Sequence, residues 1–331
     1  MAYQNVGTPR FYVNTMEFLL SNGIVPIVQE VVPVSPYDTW VAGSAHNPLF
    51  KTIPTQYETL PHKGFDFSNL ANSMTGDNCF VAILGHKIAT DDRKFSIYQA
   101  EEEDSLHGSF VDIVNAGTGE LVTPEHDGFS ILTFSYTNSN NTLHIYFWSG
   151  TSGHSLIFGT FYDMPHSPDL NLTMTREYGG IKTIETKGGA SLSNAFYTRP
   201  PLWGNEPAWE IMSGVGTTPA PHQAKSGRRI WDLSFSYLSD SSVFPAISNM
   251  NYYESGYDDS NYAGNTLLDS DTFYSQVIHK TNGGQLPFIF QPDSSNNSPD
   301  QFAICKFDSG FKFDQVANGV YNVKLKIREV W

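Results

Sequence analysis

The terminal segment 320–331 constrains the fold most, because its side chains alternate between apolar and polar. A period of two places successive side chains on opposite faces of a β-strand. One set is apolar and consists of Tyr321, Val323, Leu325 and Ile327. The other set is polar and consists of Asn322, Lys324, Lys326 and Arg328. The pattern predicts a strand with one face buried and one face in water. Because this β-structure runs to the last residue, we expect the chain to be one component of a larger assembly.

Two aromatic segments precede that strand in the last hundred residues. Arg228–Tyr237 is a predicted strand, and Gly284–Asp293 is predicted to be an aromatic-capped loop. Aromatic residues make up 14% of the chain, and they favour strands and packed interfaces. The candidate assembly residues from these segments are Trp231, Phe288, Phe290 and Trp331. Each is equally well explained as part of the fold core, and for any one of them the core is the favoured interpretation.

Composition bounds the class of protein. A chain of 331 residues is long enough for two or three domains. Its 19 Lys and Arg against 34 Asp and Glu give a net charge of −15, which repels nucleic acid and anionic membranes. We therefore expect neither as a partner. No signal peptide or membrane span is predicted, so we expect a soluble protein made in a cytoplasm. Cys79 and Cys305 lie in apolar runs and are expected as buried thiols.

The N-terminal region is predicted to contain a short strand, a helix and an extended arm. Phe11–Val13 is the strand, and Asn14 with Glu17 three residues later forms a capping-box pattern for the helix. Residues 24–36 are rich in Val but are interrupted by three prolines, which favours an edge strand or an arm.

The middle of the chain is predicted to be a β-sandwich. Phe80–Leu84 is continuously apolar, as expected for a strand that is buried on both faces. Ser130–Tyr136 and Thr142–Trp148 are predicted to form a hairpin across a polar loop. Several strands separated by polar turns are typical of a sandwich. Further on, Asp269–Lys280 is the best helix, with Asp269 or Ser270 as its cap.

No group of residues predicts catalysis, a metal site or a cofactor. His166 lies between two prolines and is better explained as part of a turn than as a ligand. The acidic run Glu101–Asp104 lacks the Gly and alternating Asp or Asn of a calcium loop and favours a solvated loop. Four tyrosines cluster in a polar loop, where contact with a neighbouring subunit is favoured over sugar stacking. They are Tyr252, Tyr253, Tyr257 and Tyr262.

Two stretches resemble families of tailed-bacteriophage virion proteins. Asn78–His86 looks like the opening of a galactose-binding-like β-sandwich of tail and baseplate proteins. Leu143–Trp148, Ile157–Thr160 and Asp163–Pro165 look like its closing strands. The sugar-binding loops of that family are not matched, so the resemblance does not imply lectin activity. Arg228–Trp331 is similar to C-terminal domains of distal-tail and minor-tail proteins. This resemblance implies a split β-barrel with a helix packed on it, and barrels of this kind form rings in tails.

From these patterns we expect a mainly β chain in four segments. They are an arm at 1–67, a β-sandwich at 68–175, a connecting segment at 176–227 and a split-barrel-like α+β assembly domain at 228–331. The resemblance implies a non-enzymatic structural protein of the virion, in the tail or baseplate, without cofactors. Its partners would be other virion proteins and further copies of itself. A capsid decoration protein and a carbohydrate-binding module for host glycans are the alternatives, and a cell-wall hydrolase has little support.

Overall fold

The computed structural model describes residues 5–22, 53–55, 62–66, 76–86, 95–100, 111–112, 128–136, 142–147, 154–177, 181–195, 228–247, 267–268, 270–298, 301–308 and 310–330. The strands of this part are β1 Arg10–Asn14, β2 Ile53–Thr55, β3 His62–Asp66, β4 Gly76–His86, β5 Phe95–Ala100, β6 Val111–Asp112, β7 Gly128–Tyr136, β8 Thr142–Phe147, β9 His154–Asp163, β10 Thr173–Glu177, β11 Ile181–Glu185, β12 Ser191–Ala195, β13 Arg228–Ser239, β14 Phe288–Gln291, β15 Ala303–Phe307, β16 Lys312–Ala317 and β17 Val320–Glu329. The helices are α1 Thr15–Ser21, α2 Asp240–Val243 and a π-helix, Tyr274–His279.

The strands form one large antiparallel sheet and two smaller ones. The large sheet has the order β10-β13-β17-β15-β14-β1-β9-β4-β7, with β16 also paired to β17 and β2 to β9. A second sheet has the order β3-β8-β5-β6, and β11 and β12 form a two-stranded ribbon. The mainly β fold predicted from the sequence, a sandwich followed by a barrel-like α+β part, is confirmed.

The N-terminal strand β1 lies in the middle of the large sheet, between β14 and β9. Phe11 is opposite Phe290 on one side and Tyr162 on the other. Phe11 belongs to the larger core cluster and Tyr12 to the smaller one. Because Phe11, Tyr12 and Val13 are all apolar or aromatic and point alternately to the two sides, the middle of β1 can be buried on both faces. The predicted strand is confirmed, and it joins the C-terminal strands to those of the middle of the chain.

The capping pattern after β1 forms as predicted. The Asn14 Oδ1 atom accepts a hydrogen bond of 3.2 Å from the Glu17 backbone N–H, which satisfies one of the donors at the start of α1. Asn22 is the C-cap of this helix, one residue before the glycine expected to end it. The short helix is stabilised mainly by packing, since five of its seven residues are buried.

Two hydrophobic cores lie on opposite faces of the large sheet. The larger core is formed by β13, β14, β15, β17 and β1 and is covered by the π-helix and α2; its largest side chains include Trp231, Phe235, Phe11, Phe288 and Phe290. The smaller core contains Tyr12, Phe80, Ala82, Leu84, Ile157, Phe161, Ile289, Phe302 and Ile304. The double-sided burial predicted for Phe80–Leu84 is confirmed. Both cysteines are buried and lie outside any disulfide, as expected.

The helix predicted at Asp269–Lys280 is present but begins later. The π-helix begins at Tyr274, and the Thr272 Oγ1 atom accepts a 3.3 Å hydrogen bond from the Ser275 N–H in its first turn. Ser270, one of the two predicted caps, does not make this bond, and Asp269 lies outside the described residues. The apolar face that the sequence indicated, Phe273, Val277 and Ile278, is buried in the larger core. Gly283 and Gly284 follow with positive φ angles of 70° and 86°, which glycine adopts without strain.

The hairpin predicted between β7 and β8 is wrong. β7 pairs with β4 in the large sheet, whereas β8 pairs with β3 and β5 in the second sheet. The polar loop between them therefore connects two sheets instead of turning one strand onto the next. Alternation places one face of each strand towards a core, but it does not specify which strand is the neighbour.

The four-segment division stays a prediction, although hydrogen bonds of the large sheet join three of the segments. β1 from the expected arm pairs with β14 and β9. β10 spans the expected boundary at residue 175 and pairs with β13. The expected arm at 24–36 and the acidic run at 101–104 lie outside the described residues.

Candidate assembly surface

Three of the residues predicted for assembly lie in the core. Trp231 is 1% exposed, and Phe288 and Phe290 are fully buried. The Trp231 and Phe290 rings meet edge to face with centroids 5.1 Å apart. They were candidates for either the fold core or an assembly contact. They belong to the core, because they occupy inward positions of β13 and β14, where large apolar side chains fill the space beneath the sheet. Trp331 and the tyrosines Tyr252, Tyr253, Tyr257 and Tyr262 lie outside the described residues.

The most distinctive exposed residue is Tyr237, which a β-bulge turns outward. The register between β13 and β17 shifts between Phe235 and Leu238, so two residues of β13 face Asn322 alone. Tyr237 has a φ of 63° and is 80% exposed, and its N–H donates a 3.1 Å hydrogen bond to the Asn322 Oδ1 atom. Bulges commonly re-aim a side chain. A residue with a Cβ pays about 1–2 kcal/mol for this left-handed conformation.

The sequence contains the signal for this bulge. Trp231, Leu233 and Phe235 occupy alternate inward positions, and Tyr237 would be next, but Leu238 is the residue that is buried. One extra residue must therefore be accommodated between Phe235 and Leu238. The sequence analysis missed this break in the alternation of buried and exposed side chains, although it is visible where Tyr237 is followed directly by Leu238.

A groove of about 500 Å³ lies beside the bulge, on the face of β13 and β17 that points away from the larger core. Ser234, Lys324 and Lys312 stand opposite one another on neighbouring strands and so share this face. Asp232 and Lys326 form the next opposed pair. The polar face predicted for the terminal strand is thus confirmed, and the strands flanking it continue that face on both sides.

The groove is more cationic than the rest of the chain. Its lining includes Lys312, Lys324 and Lys326 but only two carboxylates, Asp169 and Asp232. The whole chain, in contrast, carries a net charge of −15.

Two of the three lysines have acidic neighbours. Lys312 lies 2.9 Å from Asp314, and Lys326 lies 3.2 Å from Asp308. Lys324 is exposed and makes no ion pair with the described residues. Among the three groove lysines, Lys324 is thus the one without an ion pair to the described residues.

A second exposed apolar residue, Leu170, is held next to the bulge. The Asp169 N–H donates a 2.7 Å hydrogen bond to the Ser234 carbonyl, and the Ser236 hydroxyl donates a 2.8 Å bond to the Asp169 carboxylate. These two bonds fix Asp169 along β13, and the next residue, Leu170, is fully exposed to solvent. We call Tyr237, Leu170 and the lysine groove the outer face. This face combines an aromatic, an aliphatic and several charged groups, as protein-binding surfaces do.

A buried ion pair stabilises the opposite, inner side of the same strands. The Arg229 guanidinium lies 3.1 Å from Glu329 and also donates a 2.9 Å hydrogen bond to the Phe302 carbonyl. The Glu329 carboxylate further accepts a 2.8 Å bond from the Arg229 backbone N–H. Burial, reinforced by the Glu329 charge, raises the pKa of the neighbouring Cys305 thiol well above its usual range. Cys305 is thus an inert core residue and not a nucleophile.

A polar network connects β9 to the π-helix. The buried Lys280 ammonium donates hydrogen bonds of 2.7 Å to the Gln276 amide oxygen and 3.3 Å to the Thr160 hydroxyl. Burial and the nearby Lys280 charge lower the pKa of His279, whose ring meets Phe18 of α1. No sequence pattern indicated this network, because its members come from three separate elements. It holds α1, β9 and the π-helix together.

Other kinds of site are not found in the described part of the chain. No cluster of three or more His, Cys, Asp or Glu side chains there is placed to hold a metal ion. Among the helices described, none is long and apolar enough to cross a membrane. His166 lies at a bend, where its Nδ1 atom is 2.7 Å from the Ser167 carbonyl oxygen.

Comparison with known proteins gives no further assignment. No family model matches the chain, and neither the curated proteins nor the solved structures contain a match to it. The outer face is therefore interpreted from its own residues.

Proposed function

We propose that this chain is a non-enzymatic structural protein of a tailed-phage virion, located in the tail or baseplate, that works by binding other proteins. The observation that carries the proposal is the outer face, where a strained bulge exposes Tyr237 beside a charged groove. Strained backbone is retained at positions where it serves a contact or a switch. The resemblance of the sandwich and C-terminal segments to tail proteins supplies the virion context.

The fold suits such a role because the large sheet contains strands from the expected arm, sandwich and C-terminal segments. β1 joins the strands of the sandwich segment to those of the C-terminal segment by hydrogen bonds on both of its edges. Strand pairing therefore connects the sandwich segment directly to the strands that carry the outer face. Its partners would be other virion proteins and further copies of the chain.

Immunogold electron microscopy of intact phage particles tests the proposal. Label at the tail or its tip is the expected result, with particles from a phage deleted for the gene as the control. Label over the head would favour a capsid decoration protein instead. The absence of label from both intact and detergent-opened particles would refute a virion role.

A further inference from the structure

We propose that Asn318, at the tip of the β16–β17 hairpin, is a site of spontaneous deamidation, where the side-chain amide is converted to a carboxylate. The Gly319 backbone nitrogen attacks the Asn318 Cγ atom, so a new C–N bond forms and the amide nitrogen leaves as ammonia with the proton of the attacking N–H. Water then opens the cyclic imide at either carbonyl, which gives aspartate or isoaspartate without any change of oxidation state. The inference does not depend on the proposed function, because it concerns the chemistry of one turn.

The sequence restricts this reaction to a few positions. Ring closure is easiest where glycine follows asparagine, because glycine has no side chain to obstruct the attack and leaves the backbone free to adopt the required conformation. The chain contains three such pairs, Asn22-Gly23, Asn282-Gly283 and Asn318-Gly319. Gly23 lies outside the described residues. The other two pairs can be compared directly, and they differ in how firmly the reacting atoms are held.

The pair Asn282-Gly283 is held by hydrogen bonds at both reacting groups. The Gly283 N–H donates a 2.8 Å bond to the Ile278 carbonyl at the end of the π-helix. The Asn282 side-chain amide donates a 2.7 Å bond to the Ser21 hydroxyl of α1. Asn282 also has a φ of 51°, as is common at the end of a helix. Attack on this side chain therefore requires both bonds to break and the helix end to open.

The pair Asn318-Gly319 lacks these restraints. It forms the two-residue turn between Ala317 and Val320, which lie opposite each other in the ladder, and Asn318 is exposed. Neither the Asn318 side chain nor the Gly319 N–H makes a hydrogen bond with the described residues. The Gly319 carbonyl accepts a 2.9 Å bond from the Asp240 N–H. The turn is thus fixed at its carbonyl, while the nitrogen and the amide that react are free.

Conversion changes both the charge and the geometry of the hairpin tip. Either product adds one negative charge to an exposed turn. Isoaspartate also routes the main chain through the side-chain carbon and so lengthens the turn by one atom. Because the length of a hairpin turn sets the register of its strands, we expect the pairing of Ala317 with Val320 to be disturbed.

Peptide mass spectrometry of the purified full chain, sampled during incubation at mildly alkaline pH, tests the inference. In the native protein we expect Asn318 to be converted at least about tenfold faster than Asn282, because the latter must first break two hydrogen bonds. The same chain unfolded in urea is the matched control, in which both pairs should react at similar rates. Asn318→Gln keeps an amide and the turn glycine but disfavours ring closure, so the peptide that carries position 318 should stay unconverted.

Four results would overturn the inference. The first is an Asn318 that stays intact in the native protein while it is converted in urea. The second is an equal native rate at Asn318 and Asn282. The third is a native product that contains aspartate but no isoaspartate, since the cyclic imide gives both. The fourth is continued conversion of the same peptide in Asn318→Gln, which would move the reaction to another amide such as that of Asn322.

Discussion

Gly159→Ala is the substitution expected to damage the sheet most. Gly159 in β9 lies opposite Asn14 of β1 on one side and Phe80 of β4 on the other. A Cβ atom added there would stand 1.8 Å from the Val13 carbonyl oxygen, 2.9 Å from the Phe80 ring and 3.0 Å from the Thr15 nitrogen. Because two of these are backbone atoms, no side-chain rotation relieves the overlap.

The size of the effect follows from the distance. To lengthen the 1.8 Å contact to 3.0 Å, β1 must move away from β9 by at least about 1.2 Å, in a close-packed region where Phe11 and Val13 are buried. Overpacking of a core costs about 1–3 kcal/mol, and a clash with backbone lies at or above the upper end. We expect a loss of about 3 kcal/mol, equivalent to a fall in melting temperature of roughly 5 °C for a chain of this size.

Calorimetric and urea unfolding of the purified protein measure this loss. Gly310→Ala is the matched control, since nothing lies within 4 Å of its added Cβ and its φ is not in the left-handed region. That variant should be neutral or slightly stabilising, by up to about 1 kcal/mol through the unfolded state. If Gly159→Ala unfolds with the same midpoint as Gly310→Ala, the close approach of β1 and β9 is incorrect.

Four further predictions concern single side chains. Glu329→Leu leaves the Arg229 guanidinium buried without its carboxylate and should lower the free energy of unfolding in urea by about 3–5 kcal/mol. Adding Arg229→Met to the same chain should recover most of that loss. A double variant as unstable as the single one would contradict this prediction. Tyr237→Gly should raise stability by about 1 kcal/mol by relieving the positive φ, and a lower melting temperature would count against strain at the bulge. The lowered pKa of His279 means that the unfolded state binds the proton more readily, so the free energy of unfolding should fall as pH drops through about 6.5. His279→Gln should flatten that pH dependence. An unchanged pH profile in this variant would reject the prediction. The Cys305 thiol should resist a thiol reagent until the protein unfolds, whereas rapid labelling of the native protein would show that it is accessible.

Local features of this chain were predictable from short stretches of sequence. The alternation of the terminal strand placed Val323, Leu325 and Ile327 in the core, and the capping pattern placed a helix after Asn14. The continuous apolar run Phe80–Leu84 indicated burial on both faces. These predictions succeed because a strand period or a helix cap depends only on residues a few positions apart.

Pairings between distant segments were decided by the tertiary structure. Sequence alone did not place β1 between β14 and β9, nor did it separate β7 from β8. The buried charges of Arg229, Glu329 and Lys280 likewise depend on partners that fold brings to them. Each such contact is chosen by competition among many strands that share the same pattern of burial.

The candidate site shows the same division. The sequence specified a polar face for the terminal strand, and with it Lys324 and Lys326 of the groove, whereas Lys312 is brought there by the pairing of β16 with β17. It also carried the extra residue between Phe235 and Leu238. Only the paired structure identified Tyr237 as the residue turned outward, with its N–H bonded to Asn322, and fixed Asp169 along the same strand. The direction of a bulged side chain depends on the strand against which it pairs.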